Sequence, residues 1–280
     1  MTLNREHKIS LRALDRIFRE TAESWWFFSL LFKASIFLAG ALLIFLPASS
    51  QVIPFIVVAL TLMAEFASWQ YNGARDSWES LHRKLDLSES LSWKISNAEI
   101  SDLLIQSSKR QKEKALQLNL EPYFASSQVL GAKRTVENIQ ESAWWAKHLA
   151  KRAGSIYFGA IIFLLIGSLS VLIISIETIK DFDVLSNMGR AVTSAVMLVF
   201  SLDIARIANA YKKYSGKAAS IESETIRLLK NPNIMTVDAI KIVQEYHLAH
   251  AEAPMVPQWL WKLMRKDLDV TWQKYRRQRP

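Results

Sequence analysis

The chain of 280 residues contains no cysteine, so a disulfide scaffold and a thiolate zinc site are both excluded. Glycine and proline are scarce, at 8 and 7. The few glycines are scattered, which leaves no phosphate-cradling loop and no dinucleotide fingerprint. No window alternates as a β-strand, and no serine sits in a strand-turn-helix elbow, so a hydrolase triad has no support. Charge is missing from two long windows. Ala34 to Ala64 (31 residues) and Ala153 to Ile176 (24 residues) hold no Asp, Glu, Lys or Arg. About 20 helical residues cross a hydrocarbon core, so apolar runs this long are membrane spans by default. On this reading a purely soluble chain is excluded.

What is present divides sharply. Met1 to Trp26 is a charged, amphipathic arm, and the first apolar window lies too far along to be a cleaved signal peptide. Four spans are expected. The first runs from Phe27 to Leu46 and turns at Pro47-Ala48-Ser49-Ser50-Gln51 into the second, Val52 to Trp69. The third lies within Ala153 to Ile176. The fourth runs from Ala191 to Tyr211, although Asp203 and Arg206 lie inside it, and a re-entrant segment is the alternative. The expected fold is an all-α integral membrane protein with two transmembrane hairpins and a cytoplasmic helical bundle. Its divisions are an arm (1–26), hairpin 1 (27–69), a helical region (70–152), hairpin 2 (153–211) and a C-terminal helical region (212–280).

Loop charges give the orientation. Five Lys/Arg precede the first span, thirteen lie between Gln70 and Arg152, and thirteen follow Tyr211. The first hairpin loop has none, and Glu177 to Arg190 has two against three acids. Lys and Arg remain on the cytoplasmic side. Both termini and the middle region are therefore expected on the cytoplasmic side of a membrane crossed several times. Anionic inner-leaflet lipids account for the net charge of +9 without any nucleic-acid polymer. The two halves also resemble each other. Glu23-Ser24-Trp25-Trp26 and Glu141-Ser142-Ala143-Trp144-Trp145 precede the hairpins. Tyr71-Asn72-Gly73 with Ser77-Trp78-Glu79-Ser80, and Tyr214-Ser215-Gly216 with Ser220-Ile221-Glu222-Ser223, follow them. Such an order suggests a parallel internal repeat.

Outside the spans the periodicity is helical. The second span continues to about Leu87, with Trp78, Leu81 and Leu85 spaced for one buried face. Ser96-Asn97-Ala98-Glu99 reads as a capping box opening a helix to Leu118, broken at Leu120-Glu121-Pro122-Tyr123. A helix from Ala132 runs into the third span. The fourth span continues to Leu229, so that Ala191 to Leu229 is expected as one rod. Thr236 caps a helix to Ala251, and Pro257 opens a last one from Gln258 to Arg277.

Candidate site residues are few, and none points to catalysis or to a cofactor. His247 and His250 share a helix face with Glu245 and Glu252 nearby, which reads as a solvated face and not as a metal site. Four ionisable residues fall within the spans, where charge is costly. Lys33 and Glu65 are placed to pair across the first hairpin or to snorkel to its border. Asp203 and Arg206, three apart, are placed to pair locally or to line a polar seam. Trp144-Trp145, about nine residues before the third span, packs on other helices or offers a stacking platform for a base. Lys133, Arg134, Lys147, Lys151 and Arg152 lie near it in the sequence.

The 2+2 layout, the long helical insert and one motif resemble the SMODS-associating four-transmembrane effectors, a bacterial antiviral family. The motif is Arg134-Thr135-Val136-Glu137-Asn138-Ile139, followed by Glu141-Ser142-Ala143-Trp144-Trp145-Ala146-Lys147. The likeness covers residues 10 to 230 in layout and about fifteen residues in motif; the last fifty residues, with Trp259, Trp261 and Trp272, lie outside it. It implies a non-enzymatic effector, encoded beside enzymes that make cyclic oligonucleotides, that oligomerises and injures the inner membrane on infection. Arg134, Trp144 and Lys147 are then the candidate cyclic-oligonucleotide contacts, and the tryptophan-rich tail from Gln258 is the candidate contact for a cytoplasmic defence protein. A housekeeping channel or transporter and a membrane scaffold recruiting a cytoplasmic partner are the competing readings.

Overall fold

The computed structural model describes residues 9–45, 52–118, 123–201 and 203–277. The expected turn at Pro47–Gln51 and most of the break at Leu120–Tyr123 lie outside them. Among the described residues there are nine helices and no strand. They are α1 (Leu11–Phe45), α2 (Ile53–Leu91), α3 (Asn97–Gln106), α4 (Lys109–Gln117), α5 (Ala132–Thr178), α6 (Phe182–Ser201), α7 (Ile204–Leu229), α8 (Thr236–Glu252) and α9 (Gln258–Arg277).

The longest rods follow from what their sequences lack. α5 runs 47 residues without a proline. Proline occurs in α2 only in the first turn, at Pro54, where its missing N–H costs nothing. α2 ends where Ser92 turns left-handed, with φ 62°. There the Trp93 N–H donates back to the Leu87 carbonyl at 3.5 Å.

Three expected elements differ. The single helix from Ser96 is two. Ser96 and Glu99 do form the capping box, but Ser107 turns extended and Ser108 opens α4 with a capping box of its own to Gln111. Thr236 is the first helical residue and not the cap; Met235 holds that position without a side-chain bond. Most consequentially, Ala191 to Leu229 is not one rod. α6 ends at Ser201, and Asp203 has φ 52°, a left-handed conformation a right-handed helix cannot contain. Asp203 then accepts from Arg206 at 2.9 Å in the first turn of α7.

The chain divides into two compact units. One comprises Met1–Glu23, Asn72–Ala150 and Lys213–Pro280; the other comprises Ser24–Tyr71 and Lys151–Lys212. All four crossings between them fall inside helices: α1, α2, α5 and α7.

In the second, apolar unit, α1 meets α2 through small residues. Ala64 and Ala67 are buried, and Ser29 and Ser68 share a 2.8 Å hydrogen bond. α5 meets α7 at Gly154, where an added Cβ would lie 3.3 Å from that of Tyr211; the Tyr157 and Tyr211 rings stand 5.6 Å apart. Two helices, α2 and α5, are long and apolar enough to cross a membrane by length and composition. Only 17% and 6% of their apolar windows are buried, far less than a soluble core helix would show. Phe55, Leu62, Phe163 and Ile166 are among the large apolar side chains left exposed.

The first, charged unit has an ordinary apolar core. The expected Trp78, Leu81 and Leu85 face is buried, as are Leu14, Ile17 and Phe18 of α1, Val136 and Ile139 of α5, Ile221 of α7, and Ile242 and Val243 of α8. A further cluster joins α5 to α9, with Trp144 and Leu149 against Leu268 and Trp272.

Candidate functional site

The densest chemistry in the charged unit is a buried network that ties α8 to α1 and α2. It arises because each helix places ionisable residues on its core face. In α2 the buried positions Trp78, Leu81 and Leu85 are interleaved with Glu79, His82 and Asp86, and all six are buried. In α1, Arg12 and Asp15 flank the buried Leu14.

Asp86 is the centre. Its Oδ1 accepts from Arg12 Nη2 at 3.1 Å. Its Oδ2 lies 3.2 Å from His247 Nε2 and 3.6 Å from His82 Nε2. The other ring nitrogen of His82 lies 3.2 Å from Asp15 Oδ1. Arg12 also grips Glu89 with two bonds, of 2.8 and 2.9 Å, and its guanidinium lies 4.2 Å from the Tyr123 ring centroid.

A second contact lies one to two turns earlier on α2. His250 Nδ1 is 3.1 Å from Glu79 Oε2. Arg75 Nη2 donates to the carbonyls of Ala251 and Ala253, both at 2.7 Å, at the C-terminal end of α8. Those carbonyls have no partner within the helix, and a cation there also complements the helix dipole.

The electrostatics follow from burial and pairing. Burial opposes a charge on His82, but the Asp86 and Asp15 carboxylates outweigh it and lift the imidazole to about 9. Burial also opposes ionisation of Asp86; His82, the His247 hydrogen bond and Arg12 overcome that and hold it well below the usual carboxylate range. Glu79 is lowered in the same way, against burial, chiefly by its bond to His250. Arg12, resisted by burial but paired with Glu89 and Asp86, is held charged.

Asp15, His82, Asp86 and His247 are each less than a tenth exposed, so the network presents no open face to a substrate. Separating such charges leaves one uncompensated in a low dielectric, which is costly. Its chemistry is that of a clasp. Among the described residues, no group of three or more His, Cys, Asp or Glu side chains could hold a metal ion.

The sequence places the histidines correctly on one helix face but not their surroundings. His247 is buried and His250 is half-buried, both facing α2 carboxylates, so the face is not solvated. Arg12, Asp15, Glu79, His82 and Asp86 escape a sequence reading altogether. A signal existed: a histidine and two acids interrupt the apolar stripe of α2, one turn apart.

The other candidates are scattered. Trp144 is 4% exposed, and the neighbours of its ring are Trp145, His148 and Trp272. The pair packs on another helix, as one of its two readings has it: the Trp144 and Trp272 ring centroids are 5.2 Å apart with their planes tilted by 42°. Lys147 is paired with Glu222, and Arg134 Nη1 donates to the Gln128 carbonyl at 3.1 Å. Lys33 is half-buried and Glu65 exposed, and among the described residues no ion pair joins them. Asp203 and Arg206 pair locally, with both side chains largely exposed.

No protein-family model, curated protein or solved structure matches this chain.

Proposed function

We propose that this chain is a signal-gated membrane effector. It crosses the bacterial inner membrane four times, keeps both termini in the cytoplasm, self-associates, and depolarises the membrane when its charged unit is released from its resting packing. The four crossings and the orientation rest on the hydropathy windows and the Lys/Arg asymmetry, and the internal repeat on the matching order of the motifs that flank the two hairpins.

The observation that carries the reading is that clasp and apolar surface share a rod. α2 presents Phe55, Val58 and Leu62 to the outside near one end and buries His82 and Asp86 near the other. Twenty residues of one helix separate Leu62 from His82 in the chain. An unbroken helix transmits tilt or rotation over that length without a hinge. A trigger that binds the unclasped state better than the clasped one shifts the balance; equal affinity for both shifts nothing.

The resemblance to the four-transmembrane effectors suggests a cyclic oligonucleotide as trigger. Trp144 and Lys147 are engaged within the protein, so such a ligand has to compete with Trp272 and Glu222 for them. That competition is itself a route from binding to release.

Membrane-potential dye in cells expressing the protein tests this. Wild-type protein stays silent until infection or an added cyclic oligonucleotide and then depolarises, whereas His247→Ala depolarises without a trigger. If neither wild type under infection nor any clasp variant depolarises cells, the effector reading fails and a membrane scaffold replaces it.

A further inference from the structure

α9 has two faces with different fates. One is buried: Leu260, Leu268 and Trp272, with Trp261, Met264 and Tyr275 beside them, close the cluster around Trp144. The other is exposed and unusual in composition. Trp259, Leu263 and Val270 stand 55%, 67% and 55% exposed. At 100° per residue they fall within about 40° of one another, on the same stripe as Lys266 and Arg277, with Lys262 and Lys274 at its margins. No Asp or Glu lies on the stripe. Asp267 is at its edge, and Asp269 is turned toward Arg265, 3.5 Å away. A solvated helix face carries both signs; this one combines a tryptophan, two aliphatic residues and four cations.

Its placement is fixed within the charged unit. The N–H of Gln258, the first residue of α9, donates to Glu23 of α1. Tryptophan and aliphatic side chains flanked by Lys and Arg are the composition of a helix that lies on a membrane surface.

We propose that the outer face of α9 docks on the anionic inner leaflet. Trp259, Leu263 and Val270 enter the headgroup region, and Lys262, Lys266, Lys274 and Arg277 meet lipid phosphates. This rests on the membrane reading above. It gives the C-terminal helix a role distinct from partner recruitment and makes the packing of Trp272 against Trp144 responsive to the lipid surface.

The absence of cysteine permits a direct test. Trp259→Cys and, separately, Leu263→Cys carry an environment-sensitive fluorophore in the full chain, reconstituted into nanodiscs containing brominated lipids. Phe163→Cys, on the exposed apolar face of α5, reports whether the chain is in the bilayer at all. With anionic lipid, the probes at 259 and 263 and at 163 are all quenched at least twofold. Replacing anionic by zwitterionic lipid, or reversing Lys262 and Lys266 to Glu, relieves quenching at 259 and 263 and leaves that at 163. Quenching at 163 alone overturns the docking and leaves the membrane reading intact; quenching at none overturns both. Equal quenching at 259 and 263 in zwitterionic discs overturns the assignment to anionic lipid. Self-quenching between labelled copies without lipid quenching gives the face to a second protein copy instead.

Discussion

Asp86 and His247 are 161 residues apart in the chain and 3.2 Å apart in space. Both are buried, and the same carboxylate also holds Arg12 and faces His82. Removing one partner leaves buried charges uncompensated, an effect of about 3–5 kcal/mol for interior ion pairs. Asp86→Ala is therefore expected to lower the thermal unfolding midpoint of detergent-solubilised protein far more than the exposed-pair variant Glu224→Ala, whose partner Arg227 lies at the surface. Circular dichroism melts of the two variants, side by side, check this. Equal midpoints would show that the network does not hold the charged unit together.

The same network sets a pH dependence. His82 has a folded-state pKa of about 9 against an ordinary 6.5, so its contribution is complete below pH 6.5 and is lost as pH rises through 9. Asp86 is depressed below its ordinary 3.8, so its contribution is complete above that value and fades as pH falls below it. Between about pH 4 and 6.5 both act in full. Unfolding midpoints measured from pH 5 to 10 should decline toward the alkaline end. His82→Gln, which cannot titrate, should flatten that decline, and an NMR titration of the imidazole gives the group's pKa directly.

How far the sequence carried this structure depends on the range of the forces involved. The rods α2 and α5 were legible because a helix is set by neighbours three and four residues apart and by the absence of interior proline. The Ser96 capping box was legible for the same reason. α1 joins into one helix an arm and a first span that the sequence reading kept apart at Phe27. The second box, Ser108 with Gln111, follows a short extended step at Ser107 and Ser108, which periodicity over a longer window smooths away. The break at Asp203 was obscured because an acid inside an apolar run reads as a functional charge and not as a left-handed turn. The clasp was out of reach because its bonds between helices join residues 67 to 178 positions apart. His247 and His250 viewed on their own helix have only Glu245 and Glu252 as companions, while their actual partners are on α2.

Close helix contacts give a separate prediction in the apolar unit. A Cβ at Gly154 would meet the Tyr211 Cβ at 3.3 Å and the Ala208 carbonyl at 3.5 Å. Backbones approach so closely only where one residue is small. Gly154→Leu is expected to pry α5 from α7 at an overpacking cost of about 1–3 kcal/mol. Gly159 and Gly167, where an added Cβ meets nothing within 4 Å, should accept alanine without loss. Melting curves of the three variants in one detergent distinguish the internal contact from the open positions.

Those open positions lead to the last prediction, on assembly and topology together. Ser155 and Gly159 lie one turn apart on an exposed stretch of α5, and an exposed small-xxx-small pair lets a second helix approach. If copies of the chain associate there, Gly159→Leu should shift the mass in nanodiscs from oligomer toward monomer and abolish depolarisation, while leaving Gly159→Ala close to wild type. A monomeric wild-type protein that still depolarises would remove self-association from the mechanism. Self-association within one bilayer further requires all copies to share an orientation. Lys180, exposed between α5 and α6, and Lys94, exposed between α2 and α3, are on opposite sides of the membrane in the topology proposed above. In the cysteine-free background, Lys180→Cys should react with an impermeant maleimide added to intact cells, and Lys94→Cys only after lysis. Reaction of Lys94→Cys in intact cells would invert the orientation; it would place the clasp outside the cytoplasm and beyond the reach of any cytoplasmic trigger.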